Sequence, residues 1–225
     1  MQQVNYVNTD MAYEKALSVM VQLGYDKSQA NPTSSFLRTE QAIATNANVY
    51  TFPIRTQDKG STTFVTQKLL NQTDAFIMTS LGIFVTVGTD ATSYALNLYT
   101  YANVTAFSTS LAAGALMALW NGSLSITINN IQVLPQWDLW RHYKVPRTQQ
   151  QSYVAYSTAT AIPLSDSFDF AEDGFFPVPD GIVLNGQANT VWNITLPGAI
   201  TTIQAASRIV CIIRGTLLQN VTTAK

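Results

Sequence analysis

The chain has 225 residues, a formal net charge of −1, one cysteine and one histidine, and 47% of it is apolar while only 11% is charged, less than half the usual share. Near-neutrality removes the general attraction to nucleic acid or to an anionic membrane surface. One Cys forms no internal disulfide, and one His beside it leaves only carboxylates for a transition metal, so the core must be a hydrophobic one, which this length readily supports.

The opening segment, MQQVNYVNTDMAYEK, has neither a basic start nor an apolar run, so no signal peptide is expected. A short amphipathic helix follows. Asp10 is its candidate N-cap, Tyr13, Ala16, Leu17, Met20 and Val21 recur at helical spacing, and Gly24 closes it. Asn31-Pro32-Thr33-Ser34-Ser35 reads as a linker, which divides the chain into an N-terminal helix and linker arm, 1–35, and a second domain, 36–225.

Beyond residue 47 period-two patterns dominate, and Val, Ile, Thr, Tyr and Phe are abundant. In VYTFPI, Tyr50, Phe52 and Ile54 share one face and Pro53 marks an edge or strand end. FIMTSLGIFVTVG predicts a long strand, about 40 Å, with Ile77, Leu81, Ile83, Val85 and Val87 on one side. SLAAGALMALW, residues 110–120, reads as a short helix or a buried crossover. In SLSITINNIQVLP the alternation of Leu124, Ile126 and Ile128 reverses parity at Ile131 and Val133, which predicts a β-bulge near Asn129-Asn130. TVWNITLPG turns Trp192, Ile194 and Leu196 inward before a Pro-Gly turn, and RIVCIIRGTLL, apolar on both faces, predicts a central covered strand holding Cys211. The sum is a mainly β chain of roughly eight to ten strands, an antiparallel β-sandwich of jelly-roll type with a short N-terminal helix.

The runs 76–87 and 111–120 fall short of the roughly 20 apolar residues of a transmembrane helix, so no transmembrane segment is expected. No phosphate loop, dinucleotide fingerprint or nucleophile elbow is present. His142 is the one available histidine base, and Arg141 and Lys144 beside it oppose its protonation. The carboxylates of DSFDFAEDG do not follow the spacing of a calcium loop, and they alternate with Phe168 and Phe170 as on a half-buried strand. No catalytic, cofactor-binding or metal-binding residue is assigned, and no cofactor or enzymatic activity is expected.

The charges that exist are grouped. Arg141, His142, Lys144 and Arg147 form a basic cluster interleaved with Trp137, Trp140 and Tyr143, and Asp166, Asp169, Glu172, Asp173 and Asp180 form an acidic one. Placed on different faces, the two would let copies dock head to tail, with the aromatic side chains as anchors. An aromatic strand end with a solvated basic rim accounts for the first cluster equally well. A surface so poor in charge repels its neighbours weakly and has the composition of an interface core.

An N-terminal helix and linker followed by long Thr/Asn-rich strands such as ATNANVYTFPI and AFIMTSLGIFVTV, with little charge and almost no Cys or His, resembles the jelly-roll capsid and virion structural proteins of bacterial or archaeal viruses. The resemblance covers residues 47–218 and rests on texture rather than on a diagnostic motif. It implies a capsid subunit that self-assembles into the virion shell, with copies of itself and other virion proteins as partners. It implies a homo-oligomer in the virion, assembled in the host cytoplasm. Many such coats carry a basic N-terminal arm for the genome; this chain lacks one, so no direct nucleic-acid binding is expected. The alternative is a glycan-binding or receptor-binding β-sandwich module of a tail, spike or decoration protein.

Overall fold

In the computed structural model, the described residues are 14, 16–25, 31–58, 64–88, 97–103, 106–107, 110–145, 174–178 and 182–221. They form nine strands: β1 (Asn31–Ala42), β2 (Val49–Phe52), β3 (Ala75–Val87), β4 (Ser123–Ile128), β5 (Ile131–Asp138), β6 (Phe175–Pro177), β7 (Val183–Asn185), β8 (Thr190–Thr195) and β9 (Ser207–Gln219). Every pairing is antiparallel. One sheet has the order β1-β9-β3-β6, with β7 also on β3, and the other has the order β2-β8-β4-β5. The chain is thus an antiparallel β-sandwich.

The pairings nest. β1 lies with β9, β2 with β8, β3 with β6 and β7, and β4 with β5. They describe one long antiparallel ribbon folded back at the β4–β5 turn. The additional ladders β3–β9 and β4–β8 roll that ribbon into two layers. β6 and β7 lie on successive stretches of β3, with Val178 N–H donating to Thr79 O and Met78 N–H to Ile182 O between them, so together they act as one interrupted strand.

Alternation explains which side chains enter the core. Tyr50, Phe52 and Ile54 are buried together as their spacing predicts, and β2 stops just before Pro53. Leu124 and Ile126 of β4 meet Trp192 and Ile194 of β8, and Leu196 follows them inward. β9 is central and covered, as its two apolar faces require: Ile209, Cys211 and Ile213 face the other sheet. The segment 110–120 is a helix, Ser110–Trp120, that carries Leu116, Leu119 and Trp120 into the core on the way from β3 to β4.

Three sequence expectations need correction. Asn129 and Asn130 do not form a bulge. Ile128 and Ile131 face one another across them, both Asn residues have positive φ, and the pair is a two-residue hairpin turn. Such a turn reverses side-chain parity as an inserted residue does, which is why the pattern misled. The register shifts of the β4–β5 hairpin lie away from the turn, between Leu124 and Ile126 and between Ile126 and Thr127, and a further one lies in β3, where the register to β9 shifts between Met78 and Ser80. Phe76 and Met78 therefore join Leu81, Ile83 and Val85 in the main core, and Ile77 faces the other way with Ala75. Finally, the expected linker at 31–35 is the opening of β1, its backbone paired with residues 215–219 of β9.

The N-terminal helix is present at residues 16–22 and ends as expected at Gly24, whose φ is +70°. Tyr25 N–H bonds to Met20 O and Gly24 N–H to Val21 O, the paired closing bonds that a left-handed glycine permits. Ala16, Met20 and Tyr25 pack on Ala75, Ile77 and Leu218, covering one end of the outer face of the β1-β9-β3 sheet. Asp10 and Tyr13 lie outside the described residues. At the other end the segment 64–68 lies over the same face, with Phe64 against the Arg208 guanidinium at 4.1 Å. None of the described helices is long and apolar enough to cross a membrane.

Candidate assembly surface

Among the described residues, the second sheet carries no such covering. Inward Leu124, Ile126, Trp192, Ile194, Tyr50 and Phe52 fix the outward set as Ser123, Ser125 and Thr127 of β4, Val191, Asn193 and Thr195 of β8, and Val49 and Thr51 of β2. All are partly or fully exposed, and none is charged. Thr51 Oγ1 donates to Asn193 Oδ1 at 2.7 Å across the strands. The first charge met on this face is Asp138, at the end of β5 opposite Ser123.

At Asp138 the chain leaves the sheet and makes the corner that holds the aromatic–basic cluster. Asp138 Oδ1 accepts the Trp140 backbone N–H at 3.0 Å and starts a single 3-10 turn, Trp140–His142. His142 N–H then bonds to Leu139 O, and Tyr143 N–H to Trp140 O, both at 3.0 Å. This tight turn sorts the cluster by side. Trp137, Leu139 and His142 are buried, whereas Trp140 is 50% exposed and Arg141 and Lys144 face outward.

The exposed part is held firmly. Tyr143 stacks on Trp140 with ring centres 5.0 Å apart and lies 5.8 Å from Trp120, whose ring is in the core. The Arg141 guanidinium covers the Trp137 ring at 4.1 Å. Lys144 N–H bonds to Thr100 O, and the Thr100 hydroxyl donates to Lys144 O at 2.7 Å. The long side chains thus project from a backbone that is fixed on both sides.

His142 sits beneath this surface with both ring nitrogens engaged. Trp137 Nε1–H donates to Nε2 at 2.8 Å, and Nδ1 lies 2.9 Å from Gly174 O. An indole nitrogen only donates, so Nε2 must accept; Nδ1 therefore carries the proton and donates to the carbonyl. Burial pushes the imidazole down to about 4, helped by Arg141 and opposed by the Gly174 carbonyl and by Asp138. A neutral imidazole with its only lone pair already taken offers nothing to a nucleophile's proton. Burial also pushes the Tyr143 phenol up.

Of the sequence-predicted surface residues, Trp140, Arg141, Tyr143 and Lys144 come together at one corner, and Trp137 and His142 form its buried support. Arg147, Asp166, Asp169, Glu172, Asp173 and Asp180 lie outside the described residues. Among the described residues no group of three His, Cys, Asp or Glu side chains is placed to hold a metal ion. The uncharged outer face of the second sheet escaped sequence reasoning, although its signal was present: it is the polar half of the alternation whose apolar half defined the core.

No protein-family model matches this chain, and comparison with curated proteins finds no match either.

Proposed function

We propose that the chain is a virion structural protein, a jelly-roll capsid subunit that assembles with copies of itself into a shell. The nested ribbon supports the jelly-roll reading, because strands paired first with last, second with second-to-last and so inward, then rolled into two layers, are how that fold is built. The observation that carries the assembly reading is the uncharged outer face of the β2-β8-β4-β5 sheet, continuous at Asp138 with the Trp140–Tyr143 corner. Depletion of charge, with an aromatic anchor and an arginine at the margin, is the composition of a protein–protein contact. The basic rim, Arg141 and Lys144, finds its complement in the acidic run Asp166, Asp169, Glu172 and Asp173 of a neighbouring copy.

The protein works mechanically in this reading: the sandwich is a rigid block, and its surface chemistry joins blocks. It acts in the virion, with no catalysis and without direct contact to the genome. Native mass measurement and electron microscopy of the purified chain test this. Large regular particles are expected, and Arg141→Glu with Lys144→Glu abolishes them while leaving the thermal melt of the subunit unchanged. A chain that stays monomeric at high concentration overturns the proposal. The half-exposed Trp140 indole, backed by Tyr143, favours one second reading, a glycan-binding module. Glycan binding by the monomer that is lost in Trp140→Ala would establish that instead.

A further inference from the structure

His142 joins two parts of the chain far apart in sequence. Its own 3-10 turn carries the exposed corner, and Gly174, 32 residues later, begins the return into the sheet at β6. Phe176 packs edge-on against the imidazole at 5.1 Å. Gly174 is held close as well: its φ is +103°, and a Cβ there would come within 2.9 Å of Thr100 Cγ2 and of the Phe84 ring. Within this knot the imidazole is the one link that changes its hydrogen-bonding character with a proton.

We infer that the Trp137–His142–Gly174 chain of hydrogen bonds is an acid-opened clasp that holds the Trp140–Tyr143 corner in its assembling shape. This rests on the assembly reading above. The logic is one of donors and acceptors. The neutral ring accepts from Trp137 and donates to Gly174. A proton arriving at Nε2 converts the acceptor into a donor facing the indole N–H, which has no other role to adopt. The bond to Trp137 must then break, and the cation must either remain buried at the cost of its lost hydration or swing out, taking its turn with it.

The surroundings keep the clasp shut until acid is strong. Among the described residues, the charged groups near the ring are Arg141, stacked on Trp137 and opposing protonation, and Asp138, which favours it. β3, β6 and the helix Ser110–Trp120, which pack around the turn, contain no Asp, Glu, Lys, Arg, His, Tyr or Cys. The phenols nearby are those of Tyr99 and Tyr101, beside Thr100 in the neighbouring loop, and of Tyr143 in the turn, which burial pushes up. No carboxylate other than Asp138 is placed to stabilise an imidazolium there among the described residues.

Because the chain has one histidine, the full-length protein labelled with 15N-histidine gives a direct test. At neutral pH the Nδ1–H tautomer is expected, with the Trp137 indole proton shifted by its bond to Nε2. Lowering the pH should move the imidazole and the Trp137 indole resonances together, with a midpoint roughly two orders of magnitude in proton concentration beyond that of a free histidine. Particle assembly, followed in parallel by light scattering, should fail over the same range. In His142→Gln, whose amide can accept from Trp137 and donate to Gly174, assembly should persist through that range although every carboxylate still titrates. Trp137→Phe, which removes the donor but leaves the imidazole, should move the midpoint to higher pH. An imidazole that titrates like free histidine, an indole proton unmoved while the imidazole titrates, or loss of assembly in His142→Gln at the same pH as the parent overturns the clasp. A chain whose two resonances move as expected but which forms no particles at any pH retains the clasp and overturns the capsid reading.

Discussion

Glu40 and Arg208, 168 residues apart, meet at 3.2 Å with both side chains buried. Arg38 Nε completes the group at 2.7 Å from the other carboxylate oxygen, Thr66 donates its hydroxyl to that same oxygen, and Phe64 covers the Arg208 guanidinium. The strands β1 and β9 are thus joined by charge beneath the segment 64–68, in addition to their ladder. Removing one member of a buried ionic group leaves the others without a counter-charge. Glu40→Gln should cost about 3–5 kcal/mol, read as a lower urea midpoint at unchanged slope. Replacing Arg208 by Met in the same chain should recover part of that loss.

The hairpin turn at Asn129-Asn130 places two non-glycine residues at positive φ, 49° and 66°. Asparagine tolerates this region and glycine prefers it, whereas a β-branched side chain is strongly disfavoured there. Asn130→Gly should leave the melting temperature unchanged or slightly raised. Asn130→Val should cost about 1–2 kcal/mol, measured by thermal denaturation.

Gly215 packs β9 against β3 at the β3 bulge. A Cβ there would sit 1.9 Å from the backbone oxygen of Ile77 and 2.9 Å from the Phe76 ring. Backbone in the middle of a three-strand ladder cannot give way, so Gly215→Ala should destabilise by about 3 kcal/mol or prevent folding. Gly198→Ala, with no atom within 4 Å of the added carbon, is the matched control and should change stability by less than about 0.5 kcal/mol.

Cys211 is wholly buried in the core, and burial raises its thiol far above the ordinary range. The native chain should therefore resist an aromatic disulfide reagent and react fully once unfolded in denaturant. Rapid labelling of the native protein would place Cys211 outside the core.

His142 also sets a pH dependence of folding. Its imidazole stands near 4 in the fold and near 6.5 in the unfolded chain, so between these values the unfolded state binds the extra proton. Stability from this group is complete above pH 6.5, declines as pH falls, and is lost by about pH 4, for a total of about 3 kcal/mol. Urea denaturation across that window should show a slope that His142→Gln lacks.

The fold was legible wherever one face of a strand is apolar and the other polar. Trp192, Ile194 and Leu196 announced both β8 and its inward side, and Tyr50 and Phe52 did the same for β2. The reading failed where two physical causes leave the same trace. A bulge and a two-residue turn both reverse parity, so TINNIQ did not distinguish them. In IMTSLG the bulge of β3 left no trace, since that strand is largely buried on both faces and either register puts apolar residues inside. Asn31–Ser35 looked like a linker because its side chains are small and polar, yet pairing with β9 is made by the backbone. At the corner, composition located Trp140, Arg141 and Lys144 but could not separate them from Trp137 and His142. His142 finds buried partners in Gly174 and Phe176, and no local pattern encodes contacts 32 and 34 residues away.

Because β1 lies beside β9, the ladder of residues 31–42 is complete only once Gln219 has been made, and until then the described residues offer β1 a single bridge, Arg38 to Lys68. At translation rates of 5–20 residues per second that is a wait of roughly 10–40 s, during which the nascent first half has only unclosed ribbon to offer. The consequence is an order of events in synthesis: the β1-β9-β3 sheet closes only after its last-made strand, whatever has folded before it.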